Sequence, residues 1–330
     1  MGIIRLKNRV SVAATSSVCG KSEYDGRFGD RYDEHSDDDT FEQKTFERAE
    51  EEMMRRCFCH ALRKGGFAPS DIDAVFAGDL MNQCTASSYA FADSKIQYFG
   101  LFGACSTMAE AVMLSALTVD GGYFRRAAAT ACSHFCTAER QFRAPVEYGG
   151  QRTPTAQWTV TGAGCAVIDT GSSGMYIKEV LPGITVDRGV KDAANMGAAM
   201  APAAADTLLR YFTESKKSPD DFDVILTGDL GYEGRTITTE LLFQEGITLK
   251  ENYLDCGELL YLPEQDVHCG GSGCGCSALG LAVYLYERFK NKEIKNALFV
   301  GTGALMSPMA VAQGHSIPGI AHLIHFSSEV

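Results

Sequence analysis

The sequence predicts an α/β protein made of two duplicated halves. The first observation is a repeat, because APSDIDAVFAGDL (68–80) returns 150 residues later as SPDDFDVILTGDL (218–230). The copies keep Pro, two Asp, Gly, Asp and Leu in register, and most other positions exchange one apolar residue for another. The second observation is that helix, turn, strand, small-residue loop, helix and strand follow in the same order in both halves. This order is typical of layered folds with parallel strands.

The predicted elements follow from composition and spacing. Each copy of the repeat follows a helical stretch, starts with a Pro-x-Asp turn and ends in an apolar run, which predicts a buried strand. Downstream, turns rich in Gly, Cys and Ser open helices, and apolar strands follow those helices. The tail 314–330 contains three histidines among apolar residues, which favours a final buried strand over a metal site. The predicted helices are 46–66, 103–122, 198–217 and 273–291, and two further strands are 125–132 and 294–304.

Composition limits the class of protein. With 330 residues and 45% hydrophobic content, the halves 1–170 and 171–330 can share one compact body with a large core. No apolar run approaches the ~20 residues of a membrane span, and the N-terminus lacks a signal-peptide pattern. We therefore expect a soluble protein that stays inside the cell. The net charge of -12 and the absence of a basic stripe disfavour nucleic acid as a partner.

The twelve cysteines indicate neither a disulfide framework nor a metal site. They lie in apolar or glycine-rich contexts, and their spacing differs from that of small secreted disulfide domains. The pairs Cys57/Cys59 and Cys274/Cys276 are C-x-C, without the paired C-x-x-C or histidine spacing of zinc sites. We therefore expect reduced cysteines, no metal and no cofactor.

Cys105 is the candidate for chemistry. It lies in FGACSTMAEAV, after the apolar run YFGLF and at the predicted start of a helix. Unpaired backbone N–H groups and the positive end of the helix dipole favour a thiolate there and would also stabilise a neighbouring oxyanion. The alternative is a small buried residue that packs the helix against a sheet. The coincidence of turn, glycine and helix start favours a site.

Three segments of the first half carry a resemblance to known proteins: the stretch 46–79, the turn GACST and the strand TVTGAGCAVI. They resemble the thiolase-like superfamily, whose members stack two related halves as α/β/α/β/α layers and usually dimerise. A closer resemblance, to the stage V sporulation protein AD family, is carried by GDLMNQ, LFGACST, TAERQFRAPVEYGGQ, MAPAAADT and GGSGCGCSA. This resemblance implies a forespore protein at the periphery of the spore inner membrane. It would bind dipicolinic acid for uptake, together with membrane proteins of a transport complex, rather than act as a condensing enzyme.

The second half lacks the histidines that a condensing enzyme would need. Superfamily enzymes place His, and His, Asn or Cys, on loops of that half to stabilise a carbanion and an oxyanion. Here the loop after DVILTGDL contains residues 231–235, GYEGR, and the segment that opens the last long helix is GGSGC (270–274). His268 lies just upstream, where a structural role is the first interpretation and a shifted alignment is the second.

The remaining polar groups suit an anion. Dipicolinate has two carboxylates on a flat ring, so its site should offer N–H donors, a guanidinium and an apolar or aromatic face. The segment TAERQFRAPVEYGGQR supplies arginines together with Phe142 and Tyr148, although Arg140 and Arg143 could instead pair with Glu139 or Glu147. The predicted ligand-binding residues are Cys105, Ser106, His134, Arg140, Gln141, Arg143, Gly271, Ser272, Gly303 and Ala304.

Three functions remain open from the sequence. The first is a non-catalytic binder of dipicolinic acid, as the free ligand or its calcium chelate, in which Cys105 stays a neutral S–H and serves as a small donor. The second is an acyltransferase or ketoacyl synthase with an acyl-Cys105 intermediate and His134 or His268 as its base. The third is a scaffold whose pocket is vestigial. In each case the resemblance implies a homodimer.

Overall fold

The computed structural model describes residues 2–143, 152–171 and 173–329, in which strands and helices alternate along the chain. The strands are β1 (Ile4–Arg5), β2 (Ser11–Gly20), β3 (Glu34–Ser36), β4 (Ala74–Gly78), β5 (Gln97–Leu101), β6 (Arg126–Ser133), β7 (Trp158–Thr159), β8 (Gly162–Asp169), β9 (Tyr176–Leu181), β10 (Val224–Thr227), β11 (Tyr253–Asp255), β12 (Gly271–Ser272), β13 (Asn296–Ala304) and β14 (Gly319–Ser327). The α-helices are α1 (Lys21–Tyr24), α2 (Phe46–Gly65), α3 (Thr85–Ala90), α4 (Thr107–Asp120), α5 (Phe135–Phe142), α6 (Met196–Ser215), α7 (Gly231–Gln244), α8 (Cys256–Leu259), α9 (Cys274–Gly280), α10 (Glu287–Lys290) and α11 (Pro308–Ala312). A π-helical segment, Leu281–Tyr286, joins α9 to α10.

The sheet topology repeats between the halves. The strand order is β11-β10-β13-β14-β9-β2-β8-β6-β4-β5, and the single pairing of Ser11 with Tyr176 joins the two sets of five. When the five strands of each set are numbered 1 to 5 along the chain, both sets have the order 3-2-4-5-1 from the outer edge of the sheet to its centre. In each set strand 2 is parallel to strands 3 and 4, while strand 5 is antiparallel to strands 4 and 1. The duplication predicted from the 68–80 and 218–230 repeat is therefore visible in the sheet.

Five layers follow from the packing. Helix α2 covers the outer face of the first set of strands, and α6 with α7 covers the outer face of the second. Helices α4 and α9 lie between the two sets and contact each other. The largest hydrophobic cluster lies in this middle layer, and one smaller cluster lies under each outer layer. The predicted α/β/α/β/α fold is confirmed.

The repeated aspartates explain why the two copies of the sequence fold alike. Asp71 and Asp221 each accept the backbone N–H of the residue three positions earlier, at 2.8 and 2.7 Å, and so close the Pro-x-Asp turn. Asp73 and Asp223 each accept two consecutive backbone N–H groups where strand 4 of the half begins. Each aspartate therefore satisfies main-chain donors that water would otherwise have to reach.

The predicted helices and strands are present with shifts of a few residues at their ends. Helix α2 starts after Thr45, whose side chain accepts the N–H of Arg48, and it stops at Gly66, whose φ of 69° suits glycine. Helix α4 starts later than predicted because the residues before Thr107 form a short 3₁₀ turn. The tail forms β14, the buried strand that was predicted. Among the described residues, no helix combines the length and apolar character needed to cross a bilayer.

A buried ion network holds β9, α6 and β14 together. Glu179 accepts a hydrogen bond from Tyr211 Oη at 2.7 Å and lies 3.0 Å from Lys217 Nζ and 3.2 Å from His325 Nδ1. Burial alone would raise the pKa of Glu179, but the contacts with His325, Tyr211 and Lys217 hold it well below its usual value. The carboxylate therefore stays charged in the folded protein under acidic conditions that would protonate an unfolded glutamate.

Replacing Glu179 with Gln is expected to lower the free energy of unfolding at pH 7 by about 2 kcal/mol. Since the folded pKa lies below the unfolded value of about 4.3, the contribution is complete above about pH 5 and is lost as the pH falls further. Urea unfolding from pH 7 to pH 3 should therefore show a shallower acid decline for the variant than for the wild type. Substituting the exposed Glu251 with Gln is the control, and parallel curves for wild type and Glu179→Gln would contradict the assignment.

Candidate functional site

A cavity of about 250 Å³ opens where loops of both halves meet. The turn after β5, the end of α5, the start of α6 and the loop after β13 form its wall, and β7 and β12 lie at its side. Phe102 is 53% exposed and therefore lies at the mouth. Six apolar side chains dominate the lining: Leu80, Phe102, Phe142, Met196, Leu305 and Met306. Such a mostly apolar cleft with a few polar groups is the usual form of a small-ligand site.

Cys105 lines this cavity from the centre of a tight turn. Residues Ala104–Ser106 form the 3₁₀ turn, Ala104 has a φ of 52°, and α4 begins directly after it. The turn lies against β13, where a Cβ on Gly303 would stand 2.7 Å from the carbonyl oxygen of Gly103. Glycine at 303 thus lets the strand of the second half approach the Cys105 turn. Gly303 was also predicted to bind the ligand, but it does not line the cavity.

Two side chains of the second half face Cys105. Its Sγ lies 4.0 Å from Ser272 Oγ. Ser272 Oγ in turn lies 3.0 Å from the Asp229 carboxylate, whose charge acts on the thiol. Burial, reinforced by the negative charge of Asp229, raises the pKa of the Cys105 thiol well above its usual value. Cys105 is only 5% exposed, so the helix N-terminus does not outweigh desolvation. The thiol is therefore neutral at physiological pH.

Asp229 is the residue at this site that the sequence analysis missed. It is fully buried and accepts hydrogen bonds from Ser272 Oγ at 3.0 Å, the Gly273 N–H at 2.9 Å and Thr302 Oγ1 at 2.9 Å. Burial raises its pKa to about 6, and the donors limit that rise. Asp229 belongs to the repeated Gly-Asp-Leu, whose first copy, Asp79, accepts only backbone N–H groups nearby. The sequence repeat includes Asp229, but it does not reveal that Ser272 and Thr302 lie beside this residue in the fold.

The histidines considered as bases are placed away from the thiol. His134 is 1% exposed, donates through Nε2 to the carbonyl of Asp39 at 2.7 Å and accepts the N–H of Cys136 at Nδ1. Burial lowers the pKa of His134, so this residue is a neutral cap of α5. His268 Nδ1 lies 2.8 Å from the carbonyl of Thr153. Neither histidine lines the cavity, and within the described residues no three His, Cys, Asp or Glu side chains form a metal-holding group.

Helix α5 turns most of the predicted polar residues away from the cavity. Only Phe142 of this helix lines it. Arg140, two residues earlier and so about 200° around the helix, pairs instead with Glu47 at 2.5 Å. The Gln141 side chain donates to the carbonyl of Leu80 at 2.7 Å and accepts the N–H of Asn82, which fixes α5 to the loop after β4. Arg140 and Gln141 therefore have structural partners.

Arg143 directly follows the lining residue Phe142 at the end of α5. It makes a loose 3.5 Å contact with Glu139. Arg152 is near enough that Arg143 contributes, after burial, to lowering the Arg152 pKa. Within the described residues, Nε and Nη1 of Arg152 have no hydrogen-bond partner. The predicted aromatic residue Tyr148 lies outside the described residues.

The structure thus brings together some of the predicted ligand-binding residues. Cys105, Ser272 and Ala304 line the cavity. The side chain of Ser106 instead donates to the carbonyl of Gly103 at 2.6 Å, and Gly271 pairs with Trp158 in the small sheet of β7 and β12. These two residues support the wall rather than face the ligand space.

Comparisons with known proteins agree with this fold and identify the family. Solved structures with the same fold include an acetyl-CoA acetyltransferase from Syntrophomonas wolfei (TM-score 0.63, 11% identity, 98% of this chain and 100% of that one). Another is the 3-oxoacyl-[acyl-carrier-protein] synthase III of Aquifex aeolicus (TM-score 0.58, 11% identity, 96% and 99%). The family profile for stage V sporulation protein AD matches residues 2–327. Stage V sporulation protein AD of Bacillus subtilis is 40% identical over 317 residues, covering 96% of this chain and 94% of the relative. The chain is a thiolase-fold member of the stage V sporulation protein AD family.

Proposed function

We propose that this sporulation protein binds dipicolinic acid (pyridine-2,6-dicarboxylic acid) in the cavity beside Cys105 without transforming it. The observation that carries the proposal is the burial of Cys105 beside Ser272 and the Asp229 carboxylate. A condensing reaction needs a thiolate and a base, whereas burial and the negative charge of Asp229 raise the pKa of this thiol and keep it protonated. The site therefore keeps the cavity of a condensing enzyme without the charge arrangement that the chemistry requires.

The form of the cavity supports a flat aromatic ligand. Apolar side chains such as Phe142 and Leu305 can cover the two faces of a pyridine ring. Arg143 and Arg152 are close to each other beside the Phe142 wall, and Arg152 has two unpartnered nitrogens among the described residues. Two carboxylates would relieve the repulsion between these guanidinium groups through charge-assisted hydrogen bonds.

Substituting Arg143 with Ala is expected to weaken dipicolinate binding about tenfold, since a charge-assisted hydrogen bond contributes about 1.5 kcal/mol or more. Arg140→Ala is the matched control on the same helix, because Arg140 is engaged by Glu47. Titration calorimetry of both variants and the wild type, with and without calcium, measures the effect. Equal affinities of wild type and Arg143→Ala would remove the arginine assignment, and no heat from any of the three proteins would favour a scaffold with a vestigial pocket.

The partners and location follow from the proposed role in dipicolinic acid uptake. The protein would work in the forespore at the spore inner membrane, held there by membrane proteins of the same transport complex. We also propose a homodimer through β5, which ends the strand order and has Phe99 42% exposed. An edge strand presents unpaired N–H and C=O groups that a second copy can complete. Phe99→Lys should then shift the sedimentation velocity from a dimer to a monomer.

An acyltransferase is the second candidate, because Cys105 keeps the turn before α4 and faces an open cavity. Incubation with radiolabelled acyl-CoA distinguishes the two functions. Stable label that disappears in Cys105→Ser would establish an acyl-enzyme and overturn the binder, whereas the proposed binder acquires no label. The Cys136→Ser variant controls for acylation of a more exposed thiol.

A further inference from the structure

Cys105 and Ser272 form the base of the cavity, and the direction of their S–H and O–H protons decides whether that base donates or accepts hydrogen bonds. The hydroxyl of Ser272 donates to Asp229, at 3.0 Å. Because Ser272 donates its only proton to Asp229, the thiol of Cys105 is the donor in the 4.0 Å contact between the two residues, and Ser272 Oγ is the acceptor. Neither proton then points at a ligand, so Cys105 and Ser272 present lone pairs to the cavity that they line. Cys105 therefore acts as an acceptor here, in place of the small donor predicted from the sequence.

Asp229 makes the same surface unfavourable for anions. Its carboxylate is fully buried and accepts three donors, including the Gly273 N–H and Thr302 Oγ1, which is the environment of an ionised acid. No Lys or Arg among the described residues lines the cavity to offset this charge. A carboxylate placed against Cys105 would meet a negative charge and two acceptors in a poorly hydrated space.

We propose that Asp229, acting through Cys105 and Ser272, is the specificity-determining residue of this site and makes the base of the cavity an acceptor surface that excludes anions. This inference rests on the proposed binding of dipicolinic acid. The ligand then enters with its C4–H edge toward Cys105 and leaves both carboxylates at the mouth, on the side of Arg143. A hydrogen-bond donor attached to ring carbon 4 would be accepted at the base, and a carboxylate there would be rejected.

A ligand series tests this orientation in the wild-type protein. By calorimetry, 4-(hydroxymethyl)dipicolinate should bind about 3- to 10-fold more tightly than its apolar isostere 4-ethyldipicolinate, because its hydroxyl can donate to Ser272 or Cys105. Pyridine-2,4,6-tricarboxylate should bind at least about tenfold more weakly than dipicolinate. Tighter binding of the ethyl than of the hydroxymethyl compound would overturn the inference while leaving the proposed function intact. Absence of binding by dipicolinate itself would overturn both.

Variants separate the charge of Asp229 from the shape of the cavity. In Asp229→Asn the affinity for the tricarboxylate should be within about threefold of the affinity for dipicolinate, because the buried negative charge is gone. Asp79→Asn is the matched control, since Asp79 is the equivalent buried residue of the first copy and does not line the cavity. A tricarboxylate penalty that persists in Asp229→Asn would contradict the role of Asp229. Should that variant unfold, Ser272→Ala provides a second test, because it removes one of the two acceptors and should reduce the preference for the hydroxymethyl compound; an unchanged preference would contradict the inference.

Discussion

Replacing Asp229 with Asn is expected to speed the alkylation of Cys105 by iodoacetamide at least about tenfold near neutral pH. Burial is the first cause of the raised Cys105 pKa and the charge of Asp229 is the second, so an uncharged side chain of the same size at position 229 lowers the pKa of the thiol. One unit of pKa gives tenfold more thiolate, which is the reactive form. Peptide mapping by mass spectrometry would follow Cys105 separately from the other cysteines.

The wild-type rate is informative as well. A neutral thiol that is 5% exposed should react slowly, and dipicolinate in the cavity should slow it further. Asp79→Asn again controls for the loss of a buried carboxylate elsewhere. Equal rates in the Asp229 and Asp79 variants would contradict the electrostatic role of Asp229. Rapid alkylation of the wild type that ligand does not affect would contradict the binding function itself.

The fold could be predicted from the sequence because its determinants are local and occur twice. The Pro-x-Asp turns close on their own backbone, and the apolar runs after them have the length of buried strands. The sequence also predicted that a thiol at 105 would lie in a turn before a helix. Each of these features depends on neighbours along the chain, and the Pro-x-Asp turn with its strand is repeated 150 residues apart.

The parts of the site that the sequence did not reveal depend on the direction of side chains in space. Arg140 and Phe142 are two residues apart, yet the helix directs one to Glu47 and the other to the cavity. In the sequence, Asp229 was assigned to a structural repeat because Gly-Asp-Leu occurs at both 78–80 and 228–230. In the structure only the first copy, Asp79, is limited to backbone contacts nearby. Its position beside Cys105 arises from the approach of β13 to the turn of the first half, which no local pattern encodes.

Substituting Gly273 with Ala is expected to lower the free energy of unfolding by about 3–5 kcal/mol. Gly273 has a φ of 99° and a ψ of 162°, a conformation that is nearly restricted to glycine, and an added Cβ would stand 2.7 Å from Ser133 Oγ. Relaxing the backbone would withdraw its N–H from Asp229, so the base of the cavity would also change. Gly66→Ala, which has a φ of 69° and open space around it, should cost only about 1 kcal/mol. Urea unfolding of both variants measures the two losses of unfolding free energy. Equal losses would contradict the prediction, because they would mean that the connection from β12 to α9 at Gly273 accepts an alanine as easily as Gly66 does.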